Sequence, residues 1–204
     1  MITENFNILN NYVPERSLPI LQKWFNQRPF LLKVVKKRAT KYGDFRASLK
    51  GETPIITVNS NLNQYAFLIT LTHEFAHLLV WYVYKHKVKA HGIEWKNEFQ
   101  KLMTVLLQNE IFPETLTTVL KQHLKNPPAS SARDINLVSE LRKYDAPSNK
   151  VMLSEIPLGT KFTLNNKRIF VKGEKRRTRF HCTELKTKKQ YLINGVADVL
   201  IINK

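Results

Sequence analysis

The most hydrophobic segment of the chain runs from Gln64 to about Lys85 and contains neither glycine nor proline. Its apolar residues recur at helical spacing, which predicts a central helix with one buried face. Asn61 or Asn63 offers the N-cap, because an Asn side chain can accept from the free N–H groups of a first turn. The residues on the inward face are Phe67, Leu71, Phe75, Leu78 and Tyr82.

Similar spacing predicts four further helices. They cover Val13–Asn26, Ile93–Leu107, a segment after Pro113 and a short segment over Asp134–Lys143. Three runs before the central helix favour strands: the first and third are rich in apolar and β-branched residues, and the second alternates polar and apolar residues. They are Phe30–Lys36, Asp44–Leu49 and Ile55–Val58, and they predict a small antiparallel sheet.

The pattern changes after residue 125. Residues 126–131 have the composition of a linker, and from Val151 onward short strand-like runs alternate with turn residues. We therefore expect an α+β chain with a first domain over 1–125, a linker with a short helix over 126–150 and an all-β module over 151–204. The predicted turns of the module are Asn165-Asn166 and Gly173, and its strands are Thr160–Leu164, Arg168–Val171, Thr178–Cys182 and Gln190–Ile193.

Composition and charge narrow the function. The 204 residues are 43% hydrophobic, enough for one core and a small module, and the net charge of +17 favours polyanionic partners. Residues 151–204 hold 12 basic and 4 acidic side chains.

The localisation is indicated by what the sequence does not contain. No run approaches 18 uninterrupted apolar residues, and the N-terminus has no basic residues followed by an apolar segment, so we expect neither a membrane span nor a secretory signal. The single Cys182 has no disulfide partner, which favours the cytoplasm.

The central helix carries the sequence His73-Glu74-Phe75-Ala76-His77. Residues four apart share a helix face, so both imidazoles can bind one zinc ion. Glu74 then lies beside the metal, where its carboxylate can take a proton from zinc-bound water. The alternative is a pair of hydrogen-bonded histidines on a solvated edge of the helix. The metal site is favoured because the motif lies on the most apolar helix, where two unpaired histidines and a carboxylate would be costly to bury.

A catalytic zinc site needs a third protein ligand. The downstream candidates are His86, His91, Glu94 and Glu98. His86 follows on the same helix and can hardly reach back, whereas His91 lies beside Gly92, where a tight turn can return it to the metal. We choose His91, and we expect His123 and His181 to be ordinary surface or strand residues.

The motif, followed by His91-Gly92-Ile93-Glu94-Trp95-Lys96, resembles the SprT-like zinc metallopeptidases, which include the Spartan proteases that cut proteins crosslinked to DNA. Ile55–Leu62 is similar to the family's strand and turn, and Arg38–Gly43 to its hairpin region. The resemblance covers about residues 10–125. It implies a helical zincin-like core, Zn²⁺ bound by His73, His77 and His91, and Glu74 as the catalytic base.

The C-terminal module departs from the family pattern. Many members end in a zinc ribbon with four cysteines, whereas this chain has only Cys182. The module is instead basic, with the cluster Lys172, Lys175, Arg176, Arg177 and Arg179 around one turn. We expect these charges to contact phosphates. We expect Phe170, Phe180 and Tyr191 to form the core, because so small a module needs its large apolar side chains.

Three functions follow from these features. The first is a zinc peptidase that cuts protein held at nucleic acid, with DNA favoured over RNA and no membrane partner. The second is a non-catalytic, transcription-related zinc factor that associates with nucleic acid. The third is a general peptidase without a nucleic-acid link. Glu74 favours the peptidase, since a structural zinc needs no carboxylate beside it.

Overall fold

The computed structural model describes residues 6–38, 40–47, 52–131, 134–164 and 168–202. The chain divides into two compact units. The first takes the residues up to Ser131 together with Glu140–Asp145, and the second takes Ala132–Ser139 and Ala146–Lys204. The finer boundaries at 125 and 150 remain predictions. The α+β class and the all-β C-terminal sheet are confirmed.

The helices lie close to the predicted segments, except that the first begins at Leu18 rather than at Val13. The first unit contains α1 (Leu18–Phe25), α2 (Gln64–Tyr84), α3 (Ile93–Gln108) and α4 (Glu114–His123), and α5 (Ile135–Arg142) crosses the division between the units. Short 3₁₀ turns at Ile8–Asn11 and Glu15–Ser17 precede α1. Asn63 is the N-cap of α2, and its Oδ1 accepts from the N–H groups of Tyr65 and Ala66.

Helix α2 is the centre of the first unit. Phe67, Leu71, Phe75 and Leu78 are fully buried, and Trp95 and Phe99 of α3 are equally buried. By length and composition α2 is also apolar enough to cross a membrane, but 61% of that stretch is buried inside the fold. A core helix meets the same criterion, so we assign α2 to the core.

The sheet of the first unit is mixed, so the prediction of an antiparallel sheet is wrong for one pair. Strands β1 (Leu31–Val35), β2 (Gly43–Arg46) and β3 (Ile55–Asn59) lie in the order β1-β3-β2. Strand β3 pairs in parallel with β1 and antiparallel with β2. The reason is burial: β3 is buried over most of its length and takes the centre, whereas β1 and β2 carry exposed charges and form the edges.

The second unit is an antiparallel sheet of six strands in the order β4-β9-β5-β6-β7-β8. Its apolar core includes Phe170 and Phe180, with Tyr191 packed against it, which confirms their predicted structural role. The strands are β4 (Val151–Met152), β5 (Lys161–Thr163), β6 (Ile169–Arg176), β7 (Arg179–Glu184), β8 (Gln190–Asn194) and β9 (Asp198–Ile201).

One predicted turn of this unit is wrong. Gly173 lies inside β6 at a bulge, and the chain reverses at Arg177-Thr178 instead, where Arg177 has a φ of 58°. A Cβ on Gly173 would lie 2.7 Å from the carbonyl oxygen of His181, so this glycine permits a close strand approach. The predicted Asn165-Asn166 turn lies outside the described residues.

Candidate metal centre

Three imidazole nitrogens converge at one point of the first unit. The Nε2 atoms of His73, His77 and His91 lie 3.1 to 3.3 Å apart. Ligand nitrogens about 2.05 Å from a tetrahedral zinc are about 3.3 Å apart, so the three fit one ion. Lone pairs facing one another at this distance favour a cation between them.

Local sequence explains how the three rings meet. His73 and His77 are one turn apart on α2, which ends at Tyr84. Lys85 then adopts a positive φ of 54°, and the chain returns through a loop that ends at Gly92, the N-cap of α3. His91, the residue before this cap, is thereby brought back to α2. This is the tight return that the sequence predicts.

Trp95 supports all three histidines from the first turns of α3. Its ring centroid lies 4.5, 5.3 and 4.8 Å from those of His73, His77 and His91. Its Nε1–H donates to the carbonyl oxygen of His73 at 3.3 Å. Because Trp95 is fully buried, it forms a rigid apolar wall that limits how the imidazoles can rotate.

The remaining candidate ligands lie elsewhere. His86 is exposed beyond the end of α2, and within the described residues neither Glu94 nor Glu98 joins the three histidines in a metal-binding group. His123 is 5% exposed in the last turn of α4, so the expectation that it lies at the surface or on a strand is wrong. Its position on the inward face of α4, with Leu116 and Leu120, explains the burial. His181 lies on β7, half-buried.

Burial keeps the cluster neutral. Desolvation, and then the neighbouring imidazoles, lowers the pKa of His73 to about 2 and that of His77 to about 3. Desolvation also lowers the pKa of His91. Neutral imidazole is the form that binds a metal ion, so the cluster is ready to bind one at neutral pH.

Glu74 lies on α2 between the two histidines and is 7% exposed. Desolvation, reinforced by the charge of Asp44, raises the pKa of Glu74 to about 8, against the opposing charges of Arg38 and Lys41. The backbone N–H of Phe45 in β2 donates to its carboxylate. A buried carboxyl group with a raised pKa beside a metal-binding cluster has the environment of a proton-transfer group.

A cleft opens beside the cluster. It has a volume of about 310 Å³ and includes the side chain of His77 in its wall. The ring of Phe45 stacks on His77 with centroids 6.4 Å apart and joins the cleft to the metal centre. The cleft therefore gives access to the cluster at His77. The other lining residues are Ala47, Val80, Trp81, Lys85, His86, Val88, Lys89 and Ala90.

In the second unit the predicted basic cluster is only partly exposed. Lys175, Arg176, Arg177 and Arg179 are exposed around the turn between β6 and β7. Lys172 does not belong with them.

Lys172 is 4% exposed and points into the core of the unit. Its Nζ donates to the carbonyl oxygens of Ile156 at 2.5 Å and Ser154 at 3.3 Å, and burial lowers its pKa. Inward and outward side chains alternate along β6, and Lys172 has the parity of the buried Phe170. The available cluster therefore has four residues.

Comparison with known proteins gives one match. Residues 20–118 match the model of the SprT-like family, and this range contains the three histidines, Glu74 and Trp95. No curated protein and no solved structure matches the chain. Residues 20–118, just under half of the chain, are therefore similar in sequence to the SprT-like family.

Proposed function

We propose that this protein is a zinc-dependent metallopeptidase of SprT-like type. The observation that carries the proposal is the convergence of three neutral Nε2 atoms, 3.1 to 3.3 Å apart, beside a buried carboxyl group on the same helix. His73, His77 and His91 would hold Zn²⁺. A three-histidine set leaves one position for water or substrate, as catalytic zinc sites do.

The zinc ion and Glu74 would have different roles in the reaction. When bound, zinc supplies a Lewis acid that acidifies water and polarises a carbonyl group. Glu74 accepts a proton from the attacking water and passes it to the leaving amine, which completes hydrolysis of the peptide bond. Its environment suits this exchange, because a pKa that burial raises makes the carboxylate a stronger base.

We propose further that the substrates are proteins held at DNA in the cytoplasm. Lys175, Arg176, Arg177 and Arg179 form an exposed cluster without an acidic residue in the turn itself. Such a cluster fits the phosphate backbone of DNA, whose contacts carry no sequence information. The buried Cys182 is a free thiol, as is usual for proteins of a reducing compartment.

The test is proteolysis by the zinc-loaded protein. A DNA-bound basic protein is the substrate, self-cleavage is scored in parallel, and each reaction is run with and without single-stranded DNA. The control is Glu74→Gln, which retains the three histidines and removes the base. We expect cleavage that requires both Glu74 and DNA.

Each other outcome assigns a different function. Cleavage that ignores DNA would identify a general peptidase and overturn the nucleic-acid link. Binding of zinc and DNA without any cleavage would overturn the peptidase and favour a non-catalytic zinc factor.

A further inference from the structure

We infer that Gly43, with the network of Arg38, Thr57 and Asn59 that holds its strand, positions the carboxylate of Glu74. The inference rests on the proposed function, in which Glu74 is the general base. These residues act on the proposed reaction through Glu74 and not through the nitrogens of the three histidines. They are therefore positioning residues.

Gly43 provides the space that the carboxyl group occupies. A Cβ on Gly43 would lie 2.7 Å from Oε1 and 2.8 Å from Cγ of Glu74, and 2.7 Å from Cγ2 of Thr70. Unbonded heavy atoms of this kind prefer about 3.5 to 4.0 Å. Any side chain at position 43 therefore pushes Glu74 from its place, even where the fold itself adapts.

The same strand also supplies the hydrogen bond to the carboxylate. The N–H of Phe45, two residues after Gly43 in β2, donates to Glu74. Strand β2 is an edge strand, so this N–H is not needed by another strand. A buried carboxylate that has lost water depends on such a donor. The position of Glu74 is thus set by the backbone of β2.

A buried side-chain network fixes the approach to β2. Asn59, at the end of β3, is 1% exposed. Its Nδ2 donates to the carbonyl oxygen of Lys41 at 2.8 Å, and its backbone N–H donates to that of Tyr42 at 2.9 Å. Both bonds lie just before Gly43 in the chain. Leaving such buried groups unpaired is costly, so the start of β2 has little freedom.

Arg38 completes the network from the other side. Its Nε donates to Oδ1 of Asn59 at 2.8 Å, and its Nη1 donates to Oγ1 of Thr57 at 2.9 Å. The amide of Asn59 is therefore held at both ends. Its orientation, and with it the bond to Lys41, is determined.

The first test is Gly43→Ala in the zinc-loaded protein. We expect kcat to fall about 30- to 100-fold, the loss that a misplacement of about 1 Å produces, while KM and zinc affinity change less than about twofold. The matched control is Thr115→Val, which removes a hydrogen bond to Glu140 in the same unit but away from β2. It should leave kcat unchanged. A wild-type kcat in Gly43→Ala would overturn the inference.

A second variant separates position from stability. In Gly43→Ala/Thr70→Ser the contact with the Thr70 methyl group disappears, whereas the hydroxyl bond to Ala66 can persist. We expect the melting temperature to recover and kcat to stay low. In a Glu74→Ala background, Gly43→Ala should not lower the residual rate further. An equal loss with and without Glu74 would contradict the inference.

The third test needs no proteolysis. Amide hydrogen exchange of Phe45, followed by NMR in the metal-free protein, should accelerate at least about tenfold in Gly43→Ala and in Asn59→Leu, while amides of α4 keep their rates. Arg38→Lys keeps the charge but loses the forked geometry, and should give an intermediate rate. Unchanged exchange would overturn the inference. If the wild-type protein cuts no substrate while the variants still show faster exchange at Phe45, the proposed function alone would be overturned.

Discussion

Replacing Glu74 with Gln should stabilise the metal-free protein. The buried carboxyl group has a pKa of about 8 in the folded chain and 4.5 as an ordinary side chain. Between these values the unfolded state releases a proton that the folded state retains. Stability contributed by the protonated group is therefore complete below pH 4.5 and is lost as pH rises toward 8. Gln has the same shape and no charge, so it avoids this loss.

The magnitude follows from the two pKa values. At pH 7, about 2.5 pH units above the ordinary pKa of 4.5, Glu74 is ionised in the unfolded chain but still mostly protonated in the folded one. This difference lowers the free energy of unfolding of the wild-type protein by about 3 kcal/mol. At pH 5 the same relation gives about 1 kcal/mol. Glu74→Gln should thus be more stable than wild type by about 3 kcal/mol at pH 7 and by about 1 kcal/mol at pH 5. The histidines titrate equally in both proteins, so their contribution cancels.

The assay is urea unfolding in the presence of a chelator at several pH values. The three tryptophans, Trp24, Trp81 and Trp95, all lie in the first unit, so their fluorescence reports the unfolding of that unit. The exposed Glu52→Gln is the control and should leave the free energy of unfolding unchanged. Added zinc should reduce the difference in free energy of unfolding between Glu74→Gln and the wild-type protein, because a nearby cation favours the ionised carboxylate.

Two results would refute the reasoning. One is a Glu74→Gln variant that is no more stable than wild type at pH 7. The other is a difference that does not grow between pH 5 and pH 7. Either would mean that the carboxyl group is not desolvated as its 7% exposure indicates.

Four further substitutions test other parts of the molecule. His91→Ala removes one of three nitrogen ligands and should lower zinc affinity at least about 100-fold in a chelator competition; unchanged affinity would place the metal elsewhere. Asn63→Ala removes the N-cap of α2 and should cost about 1 to 2 kcal/mol in urea unfolding, with a smaller loss implying that water replaces the cap. Lys172→Met should lower the melting temperature of the second unit, since two carbonyl groups lose their donor, whereas Lys175→Met should instead reduce the salt slope of DNA binding by about one. Equal effects of the two lysine variants would contradict their opposite burial.

Much of the candidate metal centre could be predicted from the sequence because it is local. The period of 3.6 residues places His73 and His77 on one face of α2 whatever the rest of the chain does. The cap at Asn63 and the tight return before Gly92 are also local, and with them the return of His91. The contact of Trp95 with all three imidazoles, in contrast, required the packing of α3 against α2.

Strand pairing was less predictable because it is not local. The sequence of Leu31–Val35 does not indicate whether its partner strand runs parallel or antiparallel. The direction follows from β3 taking the central place in the sheet, between β1 and β2. The turn of the second unit was misplaced for a related reason. Glycine is typical of turns, which is why a turn was predicted at Gly173. The residue is instead required there by the close approach of His181 on the neighbouring strand.

The sequence by itself determined the helices, the metal-binding motif and the basic character of the second unit, since each depends on neighbours along the chain. Only the tertiary structure decided which polar residues are buried. Asn59 bonds to Lys41 and Arg38, and Lys172 to the carbonyl groups of Ser154 and Ile156, all across 16 to 21 residues of chain. A polar side chain is buried where partners for its hydrogen bonds converge, and that convergence exists only once the chain has folded.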